Sequence, residues 1–172
     1  MGQNFYVYDG KLNVFPHFSN TIFSITPDST TQRYHFYFGD YHFPDDEIFQ
    51  KKEYNSQAIM SEIMNNSYVR LMAPYETDEH LLVKYYVKRQ VLLGIYNKKK
   101  HTAINLDPEM VIDSLHLGTF PVPIGFNHNE FIGQLTLDIQ QKNRIMIPEL
   151  QKLMADYSED SNPILIFYSL RS

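Results

Sequence analysis

Residues 79–106, EHLLVKYYVKRQVLLGIYNKKKHTAINL, read as three antiparallel strands in succession, and this stretch constrains the fold more tightly than any other. In the first strand Leu81, Val83, Tyr85 and Val87 fall on one side while His80, Lys84, Tyr86 and Lys88 fall on the other. That is the period-2 pattern of a strand with one face in a core and one meeting water or a neighbour. The second strand, 91–96, is apolar on both sides, with Val91, Leu93 and Ile95 against Leu92 and Tyr96, so it is expected between two layers. A polar turn at 97–100 delivers a short third strand, 101–106, that stops at Asp107-Pro108, because proline cannot donate to a ladder. The Lys98–Lys100 triplet is too short for a phosphate clamp and reads as solvated turn chemistry.

The N-terminal part follows a similar plan. Short strands are expected at 4–8, 11–15, 21–26 and 33–39, with Asp9-Gly10 a strong hairpin signal and Pro27-Asp28-Ser29 a second turn. Adding a strand at 67–73 and a loop at 74–78 to the three strands above makes a second unit of four. The spacing is that of a propeller blade, about 40 to 45 residues per four-stranded unit. Between the units, SQAIMSEIMNN places Ile59, Met60, Ile63 and Met64 on one helical face behind Asn55 or Ser56 as N-cap, with the methionines as core filler. Further on, 119–126 and 130–136 form a hairpin around Asn127-His128-Asn129. A helix follows, with Ile147, Leu150, Leu153, Met154 and Tyr157 on one face and Pro148 in its first turn, and 164–170 is a last strand. The expected fold class is all-β with minor helices: a partial β-propeller of antiparallel four-stranded blade-like meanders. The chain is expected to be a single domain, 1–172, with units at about 4–39 and 67–106 and a partial unit at 119–170.

Composition narrows the function. With 13 Tyr, 12 Phe and no Trp among 172 residues, aromatic packing must carry much of the core. A net charge of -5 without a long Lys/Arg block argues against nucleic acid as a partner. There is no cysteine, hence neither disulfide nor thiolate metal site. No apolar run reaches the roughly 20 residues of a membrane-spanning helix, and no secretion signal is visible in this chain. Met1-Gly2, set directly against the strand-like residues 4–8, reads as an expression start at the edge of a structured region.

Particular phrases carry a family resemblance. SNTIFSITPD followed by RYHFYFGDYHFPDD, the LLGIYNKKK hairpin and the terminal SNPILIFYSLR together resemble a family of bacterial six-bladed β-propeller proteins, many of them predicted lipoproteins of unknown function. The chain resembles the C-terminal half of such a protein. The resemblance implies an extracytoplasmic location, periplasmic or cell-surface, and it transfers no catalytic residue. Six blades of about 40 residues need around 240, so this arc cannot close alone. Self-association as a homodimer, contact with the missing N-terminal half of a propeller, or helices covering the exposed end would each hide the open sheets.

No motif assigns an activity: there is no nucleophile elbow, zinc motif, P-loop, dinucleotide fingerprint or calcium loop. His35 and His42 are close in sequence, but Gly39-Asp40 breaks the strand between them, so the two imidazoles are expected to point apart, and neither metal nor cofactor is expected. In a propeller, loops at one mouth of the ring hold ligands. Here 40–55, 88–90 and 107–118 supply Tyr41, His42, Asp45, Asp46, Arg89, Asp113 and His116 as candidates to grip a glycan or peptide. The alternative is structural: Asp45 and Asp46 start the next segment, Asp107 caps a turn, and His116 packs beside Leu115 and Leu117. The leading expectation is a non-catalytic ligand-binding or protein-interaction module. The other is a carbohydrate-active enzyme, a glycosidase or lyase pairing Asp45 or Asp46 with Asp113 at a separation of roughly 5 to 10 Å. A third is a scaffold whose exposed aromatics meet another protein.

Overall fold

Asp9 and Gly10 both take positive φ, 50° and 68°, the pair of left-handed conformations that closes a two-residue hairpin with the right twist. They join β1 (Phe5–Tyr8) to β2 (Lys11–Val14) with Tyr8 opposite Lys11. In the computed structural model, which describes residues 4–16, 19–44, 56–107, 120–135, 148–155 and 162–170, the chain continues through β3 (Thr21–Ile25) and β4 (Thr30–His35). A 3-10 turn, Gly39–Tyr41, precedes helix α1 (Ser56–Asn65). Then come β5 (Arg70–Glu76), β6 (His80–Val87), β7 (Gln90–Asn97), β8 (Thr102–Leu106), β9 (Pro123–Phe126), β10 (Phe131–Leu135), α2 (Pro148–Ala155) and β11 (Ile164–Tyr168). The strands form meanders in chain order, β1-β2-β3-β4 and β5-β6-β7-β8, and a three-stranded sheet in which β10 lies between β9 and β11. The fold is all-β with minor helices, built of antiparallel sheets.

Several local expectations are corrected. The strand expected at 33–39 runs Thr30–His35 instead, because a register shift beside Ile22 inserts Arg33 and the ladder then ends. The strand expected at 67–73 is Arg70–Glu76, and Pro74 lies inside it. β5 is an edge strand, where a missing N–H costs the ladder little. The second face of β6 is only partly polar, since His80 and Leu82 are buried along with Leu81, Val83, Tyr85 and Val87. β7 is not enclosed on both sides: Leu93, Ile95 and Asn97 are buried, whereas Leu92, Gly94 and Tyr96 are half-buried. Gly94 explains part of this, because it brings no side chain to cover that side. Pro148 opens α2, as its lack of an N–H favours.

Two compact units divide the chain, Met1–Pro74 with Val83–Gly94 and Tyr75–Leu82 with Ile95–Ser172. In the first, one face of the β1–β4 sheet buries Tyr6, Asn13, Ile22 and Ser24. The Ser24 hydroxyl donates to Asn13 Oδ1 at 2.6 Å, and Asn13 Nδ2 donates to the Lys11 carbonyl at 3.2 Å, so this buried polar pair is satisfied. The opposite face is apolar: Phe5, Val14 and Phe23 align across three strands, and Val7, Leu12 and Ile25 align beside them. Elsewhere in the unit Phe38 packs on Tyr85 at 5.1 Å, and Arg70 lies 4.7 Å above the Tyr86 ring.

In the second unit Tyr168 organises the three-stranded sheet. Its ring meets Phe120 edge-on and Phe131 obliquely, each at 5.7 Å, while its hydroxyl donates to the Pro121 carbonyl at 2.7 Å. Burial first, and then the neighbouring Tyr75, push the Tyr168 phenol pKa far above its ordinary value. Gly133 on β10 allows this approach. A Cβ there would stand 2.9 Å from Pro121 Cβ, 3.0 Å from its carbonyl oxygen and 3.2 Å from the Tyr168 ring. Gly133→Ala is therefore expected to destabilise the protein by about 1–3 kcal/mol, the usual cost of overpacking. Urea unfolding followed by tyrosine fluorescence measures it, and an unchanged midpoint would show that the Pro121 backbone yields freely.

Candidate functional site

The start of β3 and the end of β4 hold the first part of an exposed cluster. Thr21 pairs with His35 across the ladder, and its Oγ1 lies 2.9 Å from His35 Nδ1. Past β4, Gly39 adopts φ 58°, a conformation that favours glycine, and the 3-10 turn it opens reverses the chain. The reversal returns His42 to His35, with the two rings edge to face at 5.5 Å. This corrects the expectation that Gly39-Asp40 sends them apart; the same glycine folds them together.

Asn20 locks the return. Its Nδ2 donates to the Phe43 carbonyl at 2.7 Å, its Oδ1 accepts from the Phe43 N–H at 3.3 Å, and its Nδ2 also reaches His42 Nε2 at 3.1 Å. An amide nitrogen has only hydrogens to offer, so His42 Nε2 is the acceptor. Phe43 is fully buried and packs on Tyr68 at 5.7 Å, while the Tyr41 carbonyl accepts from the Val69 N–H at 2.8 Å. Held in this way, the turn presents Tyr37, which is 83% exposed, with its ring 5.6 Å from that of His42. On the far side of the turn Lys88 Nζ sits 4.3 Å above the Tyr41 ring. Lys88 and Arg89 both have positive φ, 48° and 66°, in the β6–β7 hairpin, which sets two cations at its tip.

Of the residues singled out from sequence, the structure brings Tyr41 and His42 into one turn and places Arg89, exposed, next to Lys88 in sequence. Asp45, Asp46, Asp113 and His116 lie outside the described residues. Sequence reading missed Asn20, Thr21, His35 and Tyr37 as members of the cluster. Their signal was long-range, since Asn20 and Phe43 meet only once the meander is folded. The arrangement offers a flat aromatic ring beside imidazole nitrogens, suited to stacking and neutral hydrogen bonding. Among the described residues no group of three or more His, Asp or Glu is placed to hold a metal ion, and no helix is long and apolar enough to cross a membrane.

A second polar network fills the turns of the β5–β8 sheet. Glu76 is fully buried, and Lys98 Nζ reaches its Oε1 at 2.7 Å while donating to the Thr77 carbonyl at 2.6 Å. Lys98 is thus the counter-ion of a buried carboxylate, which corrects the reading of the whole triplet as solvated; Lys99 pairs outside with Glu79. Asn97 Oδ1 accepts from the N–H groups of Lys99 and Lys100 at 3.0 and 2.8 Å. Its Nδ2 must then point at His80 Nε2, 3.1 Å away, which accepts. Thr77 Oγ1 accepts from the His80 N–H at 3.1 Å. Burial lowers the His80 pKa; Glu79 opposes the shift, and Lys98 and Lys99 add to it. Each group here is satisfied by the turn it stabilises, so the network holds the sheet rather than a ligand.

The chain belongs to the family described as "Domain of unknown function (DUF4934)", whose sequence profile matches residues 1–169. No curated protein matches it. A crystal structure of a "Putative exported protein" from Bacteroides fragilis is similar in fold, with a TM-score of 0.78 and 19% sequence identity. The match covers 98% of this chain and 50% of that one, so the chain spans half the length of this structural relative.

Two outcomes test the buried network. Lys98→Met strands Glu76 without its counter-ion and is expected to cost about 3–5 kcal/mol, most of it recovered when Glu76→Gln is added. A double variant no more stable than Lys98→Met alone would show that the pair carries little of the turn's stability. The His80 shift also makes stability depend on pH. Well above the ordinary value of 6.5 the imidazole is neutral both folded and unfolded and adds no slope. Below it the unfolded chain takes up the proton first, so stability falls as pH drops until the lower folded value is passed. Denaturation from pH 7.5 to 5 should show a shallower fall for His80→Gln than for the wild type, and parallel curves would contradict the shift.

Proposed function

We propose that this chain, a member of a family with no assigned function, is a non-catalytic binding module whose ligand is a carbohydrate held at the Tyr37–His35–His42 cluster. The observation that carries this reading is the 83% exposure of Tyr37 beside the His42 ring, which the buried Asn20 fixes in place and which His35, held by Thr21, meets edge to face. An aromatic ring left in water gains by covering the C–H face of a sugar, and the exposed His35 imidazole, whose Nδ1 is taken by Thr21, offers its Nε2 to the sugar hydroxyls. Because Asn20 clamps the turn to Phe43 before any ligand arrives, little ordering cost remains to be met on binding. We further read the sheets as blades of a six-bladed β-propeller, supported by the two successive four-stranded meanders and by a structural relative of twice the length. That relative is described with the words "exported protein", and together with the family resemblance this supports an extracytoplasmic, lipoprotein-like setting.

Thermal unfolding of the purified protein against a panel of neutral and acidic oligosaccharides tests the reading. One class is expected to raise the melting temperature in proportion to the logarithm of its concentration. Tyr37→Ala and His35→Ala should each weaken binding by about tenfold, ~1.4 kcal/mol, without lowering the melting temperature of the free protein by more than a few degrees. A flat response across the panel, or variants that bind as the wild type does, would remove the carbohydrate assignment.

A further inference from the structure

The tip of the β6–β7 hairpin holds two cations where a tight turn disfavours them. A two-residue turn with both φ values positive, here 48° at Lys88 and 66° at Arg89, is the place for Asn-Gly or Asp-Gly. Long side chains are strained there, and strain of this kind collects where a residue has a task beyond the fold. Both residues are exposed, and neither makes an ion pair among the described residues. Asp40, exposed beside Tyr41 in the 3-10 turn, pairs with neither. Lys98 and Lys99, by contrast, each meet a carboxylate. Lys88 is nonetheless held, with its ammonium 4.3 Å above the Tyr41 ring, and Tyr41 is itself tied down because its carbonyl accepts from the Val69 N–H at 2.8 Å.

The positive charge continues behind the tip. Residues 67–74 and 83–94 of the first unit contain Arg70, Lys84, Lys88 and Arg89 and no Asp or Glu. Lys84 and Tyr86 share the half-buried face of β6, and Arg70 lies 4.7 Å over the Tyr86 ring. Four cations interleaved with aromatic rings, in a chain whose net charge is -5, make a surface suited to negative charge. We infer that the Lys88–Arg89 tip is an anion site, and that the carbohydrate of the proposed function is an acidic one whose carboxylate or sulfate groups it takes. This inference rests on the carbohydrate reading. Tyr41 is the link: its ring supports Lys88, and it directly precedes His42, whose ring lies 5.6 Å from that of Tyr37. One turn thus carries both a stacking surface for the sugar and a support for the cations. The planar fork of Arg89 matches the oxygens of a carboxylate or a sulfate, and Lys88 adds a point charge. The well-separated charges of an acidic sugar chain suit so few cations. Duplex DNA, with one charge per about 1.7 Å, would be repelled by a chain of acidic balance.

The experiment is isothermal titration calorimetry of the full chain with oligogalacturonate as the carboxylate probe, dextran sulfate as the sulfate probe, neutral dextran and a short DNA duplex. Lys88→Asn/Arg89→Gly removes both charges and gives the turn the residues it prefers, so this variant should melt at or above the wild-type temperature. At least one acidic probe is expected to bind more tightly than dextran, with an affinity that falls as salt rises, and the variant to bind it about tenfold more weakly. Which acidic probe binds assigns the group as carboxylate or sulfate. A variant that binds the acidic probes as the wild type does, or dextran bound as tightly as either of them, would overturn the anion site and leave the carbohydrate reading standing. DNA bound more tightly than both acidic sugars would overturn it in favour of a nucleic-acid surface. Acidic binding that the tip variant loses but Tyr37→Ala leaves unchanged would keep the anion site and remove the Tyr37 cluster from the carbohydrate reading. If no probe binds, both readings fall.

Discussion

Tight reversal of the chain is the constraint on which the described structure depends. Left-handed backbone at Asp9, Gly10, Gly39, Lys88, Arg89 and His101 turns the chain through short connections. Only glycine takes such values freely, and Asn and Asp tolerate them best among the others. The hairpins at Asp9-Gly10 and Lys88-Arg89 keep each strand beside its predecessor, which is why both four-stranded sheets run in chain order. Gly39 serves a different end. It folds the segment after β4 back on the sheet it has just left and so creates the cluster of His35, Tyr37 and His42.

Buried amides then fix what the turns allow. Asn20 uses both ends of its side chain on Phe43, and Asn97 uses its oxygen on the Lys98–Lys100 turn and its nitrogen on His80. In each case two anchored hydrogen bonds settle which way the amide faces, and the imidazole it meets becomes the acceptor. The outcomes differ with solvent. His80 is enclosed, and burial holds its pKa down, whereas His42 is half-buried with its ring beside that of the exposed Tyr37. Similar local chemistry thus holds a sheet together in one place and sets the turn beside an exposed aromatic ring in another.

The apolar outer face of β1–β4 shows that alternation does not by itself decide which side of a sheet is covered. Alternation alone would put Phe5, Val7 and Leu12 inside. Instead the Asn13–Ser24 pair takes the interior, where a fully hydrogen-bonded polar pair is tolerated, and the apolar rows lie on the more exposed face.

Much of the architecture was legible in the sequence. Period-2 alternation in β6, Asp9-Gly10, the Asn127–Asn129 turn, and Pro148 at the head of α2 each act within a few residues, and local sterics and hydrogen bonding determine them. Tyr41, His42 and Arg89 were named as candidates because they fall in the loops that a propeller would set at its mouth. Tertiary structure alone decided that Gly39 would bring His42 onto His35, that Lys98 would turn inward to Glu76, and that the apolar face of the first sheet would lie outside. The physical reason is common to all three: each depends on which partner a residue meets well beyond its local neighbourhood, Asn20 with Phe43, Glu76 with Lys98, Asn13 with Ser24. A pattern of hydrophobicity along the chain records the period of an element but not the identity of what is packed against it.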